Sequence, residues 1–204
     1  MAEATQSGFG WFNPGFVHRH RTRREASGKY FGTHRLWRNQ LTRVYRVLRK
    51  AYSRSPFDGE GSYQYGGRWS SPGTRLSYAS EHHSLAMLEY FVHLEASDPP
   101  PDLVLASADV PDDLPRHQVE VTKLPANWRE TPAPAELARL GDEFAQLGKW
   151  CVLIVPSALV PSENNWLINP SHDDFRKITI RETEPLVYDS RLSARSRSSR
   201  HKHK

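Results

Sequence analysis

The chain has 204 residues, of which 37% are hydrophobic and 25% charged, enough for one domain with a buried core and polar tails. The lone cysteine, Cys151, excludes an internal disulfide and a cysteine zinc cage, and no stretch reaches the roughly 18 consecutive apolar residues of a membrane-spanning helix. The formal charge of +5 belongs to the ends: 1–39 carry seven basic and two acidic residues, 191–204 six basic and none acidic, and 40–190 a net −6.

A nucleic-acid face normally lies on the folded body, so an acidic body speaks against a nucleic-acid-binding module. The N-terminus lacks the apolar run of a signal peptide, so a cytoplasmic location is expected. Residues 1–35 show no apolar period and are punctuated by glycines. They read as a basic extension, poorly ordered or docked through Phe9, Trp11, Phe12 and Phe16. The globular unit is expected over 36–190, followed by a basic disordered tail over 191–204.

Residues 43–49 alternate like a strand, with Val44, Arg46 and Leu48 on one face, so that Arg46 is a cation among apolar neighbours. The glycine-dense stretch 57–74 predicts a constrained loop without helix. Residues 75–79 predict a short strand. Ser80 reads as the N-cap of a helix over 81–95, with Leu85, Leu88 and Val92 on one stripe. Glu89 falls within that stripe at 100° per residue, and a carboxylate there is costly unless it is paired or faces a cavity. A strand is expected over 103–109, then a Pro-rich connection over 111–135. A helix follows over 134–147 and stops at Gly148. The apolar run 150–156 predicts a buried strand, with Cys151 a core residue rather than a nucleophile. Residues 161–170 read as a polar loop ordered by Asn165 and Asn169, and 177–182 and 185–188 as late strands. Strands, long loops and no βαβ rhythm favour an α+β fold.

No phosphate loop, serine elbow or His pair at i, i+4 is present, and no metal is expected. Three passages carry a resemblance: GGRWSSPGT (66–74), SYASEHHSLAMLE (77–89) and VPSALVPSENNWLINP (155–170). Their order over about 43–188 resembles the RES domain, the toxin half of Xre–RES toxin–antitoxin pairs. One departure is Ser70, where many relatives carry Asn. The resemblance implies a single domain with a mixed, split β-core like that of ADP-ribosyltransferase toxins. It implies NAD as substrate, cleaved between nicotinamide and ribose, with water or inorganic phosphate taking the ADP-ribose. It assigns the family's Arg to Arg46 or Arg68, its Glu to Glu89 and its Ser to Ser157, and brings Tyr78 to the site.

These residue types suit that chemistry. A fixed carboxylate at Glu89 stabilises an oxocarbenium-like transition state, and Arg46 or Arg68 offers a planar donor to the diphosphate. Tyr78 would stack on nicotinamide and Ser157 would donate to a phosphate or ribose oxygen. Gly66 and Gly67 would bring backbone N–H groups close to the ligand. Each also has a plainer reading: Arg46 paired to a buried acid, Arg68 as a loop clamp, Tyr78 as core, Ser157 as a turn residue. The resemblance further implies an Xre-like helix-turn-helix antitoxin over the active site, with DNA reached only through that antitoxin and a homodimer within the complex left open. Transfer of ADP-ribose to a macromolecule is the alternative activity.

Overall fold

The computed structural model describes residues 40–94, 100–189 and 192. The expectations for 1–35 lie outside these residues, as do those for the tail apart from Leu192. In chain order the elements are β1 (Leu41–Arg49), α1 (Glu60–Tyr65), β2 (Ser77–Ser80), α2 (His83–Phe91), β3 (Leu103–Pro111), β4 (Arg116–Gln118), α3 (Ala135–Leu147), β5 (Val152–Pro156), β6 (Asn164–Ile168), β7 (Thr179–Ile180) and β8 (Glu184–Pro185). Among the described residues no helix is long and apolar enough to cross a membrane.

The strands form one mixed sheet in the order β4-β5-β6-β2-β1-β3-β7, with β8 also on β3. All pairs are antiparallel except β4 with β5. β1 and β3 pair along their full length, from Leu41↔Pro111 to Arg49↔Leu103. β1 and β2 share only Tyr45↔Ser80, so the sheet is split beyond that point. The alternation of β1 sorts its side chains as the sequence predicts. Val44 and Leu48 pack with Phe57, Ala79, Ile154, Trp166 and Ile168 on one face. Val47 packs on the other with Ala86 of α2, Leu103, Leu105 and Tyr188. Closure of each face on a separate cluster makes an α+β fold with its core on both sides of the sheet.

Five local expectations are corrected. The stretch 57–74 contains a helix, α1, because Gly59 (φ 72°) and Gly66 (φ 69°) adopt left-handed backbone just outside it and frame it rather than interrupt it. Ser80 stays in β2, and α2 starts later, with His82 at its N-cap. The buried residues of α2 are Leu85 and Ala86, whereas Leu88 and Val92 are 44% and 51% exposed. The supposed loop 161–170 holds β6, a strand inside the sheet: its first two residues are Asn, which obscures a pattern that turns apolar only at Trp166. The Pro-rich connection also carries β4, a three-residue edge strand.

Helix α3 matches its expected span and ends at Gly148 (φ 55°). It buries Leu137, Leu140 and Phe144, each contributing about 1.5–3 kcal/mol. Gly141 lies so close to the loop after α1 that a Cβ there would sit 1.7 Å from the Trp69 carbonyl oxygen. One residue on, Asp142 accepts the Ser71 amide at 2.9 Å. Helix α3 thereby clamps the loop that carries Arg68.

Candidate active site

Glu89 lies on α2, one turn beyond buried Leu85, and reaches toward the ends of β5 and β6. Its Oε1 accepts from Ser157 Oγ at 2.7 Å and from Asn165 Nδ2 at 2.6 Å. The Ser157 hydroxyl is fully buried and also accepts the amides of Leu159 and Val160, both at 3.1 Å. With its one proton on Glu89, Ser157 holds the carboxylate and has no donor left for a phosphate or ribose oxygen. Asn165 Oδ1 in turn accepts from Ser80 Oγ at 2.7 Å. Among the described residues, Oε2 of Glu89 receives no hydrogen bond, and the carboxylate forms no ion pair. Neutral donors thus fix the group without cancelling its charge.

Arg68 comes from the loop between α1 and β2. Its Nη1 donates to the carbonyls of Trp128 (2.8 Å) and Glu130 (3.0 Å), and Nη2 to Thr131 Oγ1 (3.5 Å). Among the described residues, Nε–H and a second Nη2–H stay unused. Burial lowers the guanidinium's proton affinity, opposed by the negative charge of Glu89 within electrostatic reach. Next to these carbonyls, Arg129 Nε donates to the Ala158 carbonyl at 3.0 Å. The segment 128–131 therefore straps the Arg68 head to the residue after Ser157.

Tyr78 packs against the same loop. Its hydroxyl accepts the Trp69 amide at 3.1 Å and lies 2.8 Å from Ser70 Oγ. Burial pushes the phenol up to about 12. Gly67 is glycine for a steric reason, since a Cβ would stand 2.7 Å from the Tyr78 hydroxyl. Its amide and that of Gly66 are bonded to the Ser70 and Ser62 carbonyls, both at 2.8 Å, so neither is left to approach a ligand.

Arg46 is set apart. Tyr45 stands opposite Ser80, so Arg46 projects to the other face of the sheet from Ser80 and its neighbour Asn165. Its Nη1 bridges the split between β1 and β2, donating to Ser77 Oγ at 3.0 Å and the Tyr78 carbonyl at 3.3 Å. Burial lowers its proton affinity, opposed by Asp58 and Tyr78. The structure thus gathers Glu89, Ser157, Arg68 and the Tyr78 hydroxyl about one loop-lined region and leaves Arg46 in the seam. Neither guanidinium forms an ion pair among the described residues. Trp166 Nε1 is the one buried side-chain polar atom there without a partner, so the unused groups of Arg46, Arg68 and Glu89 border accessible space. Cys151 is buried and its thiol is pushed up to about 12 by that burial, as befits a core residue.

The model of the RES domain family matches residues 43–189. The chain belongs to the RES domain family. It is 36% identical over 151 residues to a protein named Toxin Res from Yersinia enterocolitica, covering 73% of this chain and 98% of the relative. A Prs ADP-ribosylating toxin of Sphingobium sp. is 34% identical over 145 residues, covering 70% and 90%. The RES domain shares its fold with a chain of the crystal structure of the M. tuberculosis MbcT–MbcA toxin–antitoxin complex, at TM-score 0.60 and 18% identity, covering 78% of this chain and 91% of that one.

Sequence reasoning overlooked the strap at 128–131 and misplaced Ser80 as a helix cap. It read Asn165 as a loop-ordering residue. The available signal was the pair Asn164-Asn165 directly before an apolar triplet, since polar residues on a strand inside a sheet need partners.

Proposed function

We propose that this RES domain is the toxin of a toxin–antitoxin pair and depletes NAD by cleaving its nicotinamide–ribose bond. The observation that carries the reading is a carboxylate held by neutral donors within electrostatic reach of a half-buried arginine that has no acidic partner among the described residues. A desolvated, unpaired guanidinium is costly and suits a site that awaits an anion. The unused Nε–H and Nη2–H of Arg68 take diphosphate oxygens. Oε2 of Glu89 faces the ribose, where positive charge develops as the C1–N bond lengthens. The bonding pair leaves with nicotinamide and neutralises its ring nitrogen, so no general acid is needed. An oxygen of phosphate or water then bonds to C1; water releases a proton to solvent, and the phosphate dianion need release none. The Tyr78 ring, pinned by its hydroxyl, offers a flat face to nicotinamide. Gly67 leaves room for that hydroxyl and Ser157 fixes Glu89. Arg46 acts from the seam, holding β1 to β2 behind the site.

On this reading a helix-turn-helix antitoxin of the Xre type covers the cleft, and an anionic group of that partner competes with the diphosphate for Arg68. The name of the Sphingobium relative favours a second reading, transfer of ADP-ribose to a macromolecule. Incubation of the protein with NAD, with and without phosphate, and mass spectrometry of the products separates the two. Free nicotinamide with ADP-ribose or its 1-phosphate supports depletion. ADP-ribose attached to a macromolecule supports transfer. Absence of nicotinamide release overturns both.

A further inference from the structure

Ser157 is not alone in holding Oε1 of Glu89. The second donor, Asn165, belongs to β6, where it pairs with Ser80 of β2 on one side and Val155 of β5 on the other. An Asn amide offers two donors at one end and an acceptor at the other. A carboxylate only accepts, so Nδ2 faces Glu89 at 2.6 Å and Oδ1 is turned toward Ser80, whose hydroxyl must donate at 2.7 Å. The three side chains form one chain of donors polarised toward the carboxylate, Ser80 to Asn165 to Glu89, and each link strengthens the next.

We infer that Asn165 and Ser80 are positioning residues for the reaction: they lock Oε1 to the sheet and thereby turn Oε2 toward the reacting ribose carbon. The inference rests on the NAD-cleaving reading. Two bonds on one oxygen stop the carboxylate from rotating about its terminal torsion, which is otherwise soft. Asn165 and Ser80 ride on paired strands rather than on loops, the arrangement that holds a reacting group within tolerance. The charged group facing Glu89 from another element is Arg68. His93 lies just past the end of α2, four residues after Glu89, and β2, β6 and the residue after β5 bring the neutral Ser80, Asn165 and Ser157.

The test compares wild type with Asn165→Ala, Asn165→Asp, Ser80→Ala and Ser80→Thr, measuring kcat and KM for NAD together with the melting temperature. In Asn165→Ala, kcat falls roughly 10–100-fold, as for a misaligned reacting group, while KM changes by less than about twofold because ground-state contacts persist. Asn165→Asp, which replaces the donor by a second carboxylate that repels Glu89, loses at least as much. Ser80→Ala loses less than Asn165→Ala, and Ser80→Thr, which keeps the hydroxyl, recovers the loss. A purely structural role would lower the melting temperature without separating kcat from KM. A folded Asn165→Ala with unchanged kcat overturns the inference. Should the wild type release no nicotinamide, the functional reading fails instead. A crystal structure of Asn165→Ala then decides the positioning: a Glu89 carboxylate turned away from its wild-type orientation supports it and an unmoved one overturns it.

Discussion

Two carboxylates, one on the sheet and one on a helix packed against it, are treated in opposite ways. Asp109 of β3 is 3% exposed and sits between two arginines, accepting from Arg43 Nε at 2.7 Å and Arg181 Nε at 2.8 Å. The hydrogen bond from Arg43 does most to hold its carboxyl below the usual range. That cluster is closed on itself and ties β1 and β3 to the residue after β7. Glu89 is held just as firmly, but by Ser157 and Asn165, which carry no charge, while the cation nearest in effect, Arg68, is bonded to backbone carbonyls instead. Where opposite charges meet, the pair serves the fold. Where neutral groups keep them apart, both charges stay available to a ligand that carries the complementary ones.

The largest test of this contrast is Glu89→Gln. Gln keeps the shape and loses the charge, so NAD cleavage should fall on the order of 10²–10³-fold while the melting temperature holds. Near-wild-type turnover in the folded variant breaks the contrast at its active end. Arg68→Ala removes the charge-assisted donors to the diphosphate, worth about 1.5–3 kcal/mol, and should raise KM for NAD roughly 10-fold or more. Arg46→Ala should instead lower the melting temperature and move KM less, because its Nη1 bridges the strands. Equal KM effects would show that the seam is part of the binding surface.

Gly141→Ala probes the clamp between α3 and the Arg68 loop. The new methyl group would meet backbone at Trp69, which yields poorly; overpacking of this kind costs roughly 1–3 kcal/mol. Both melting temperature and kcat/KM should drop, and a drop in stability alone would show that the loop does not transmit the shift to Arg68.

Asp109→Asn is the mirror of the first substitution and the mildest for activity. Turnover per folded molecule should match wild type, while the melting temperature at neutral pH falls. The folded-state pKa of Asp109 lies below the unfolded value, so its contribution is fully present above the usual aspartate pKa of about 3.9 and is lost as pH falls through the folded value. The melting difference between variant and wild type should therefore shrink on acidification through that window. A gap that persists at pH below the folded value would assign the loss to packing rather than to the charge.

Much of this was legible in local sequence. The alternation of 43–49, the apolar run before Ser157 and the stop at Gly148 state backbone periodicities that neighbouring residues set among themselves. They predicted β1, β5 and α3, and a carboxylate on an apolar helix face marked Glu89. Family-like motifs marked Arg68, Tyr78 and Ser157 without saying what their polar atoms do. Tertiary structure decided the rest. The glycines around α1 read alike whether they break a helix or frame it, and Gly141 owes its identity to a carbonyl far away in sequence. Arg46 and Arg68 are chemically equal; the pairing of Tyr45 with Ser80 sends one through the seam, and the strap at 128–131 holds the other near Glu89. Asn165 meets Glu89 across 76 positions of chain. That contact depends on the register of β6 between β2 and β5, and register is fixed by buried faces packing together, a property that no local stretch of sequence contains.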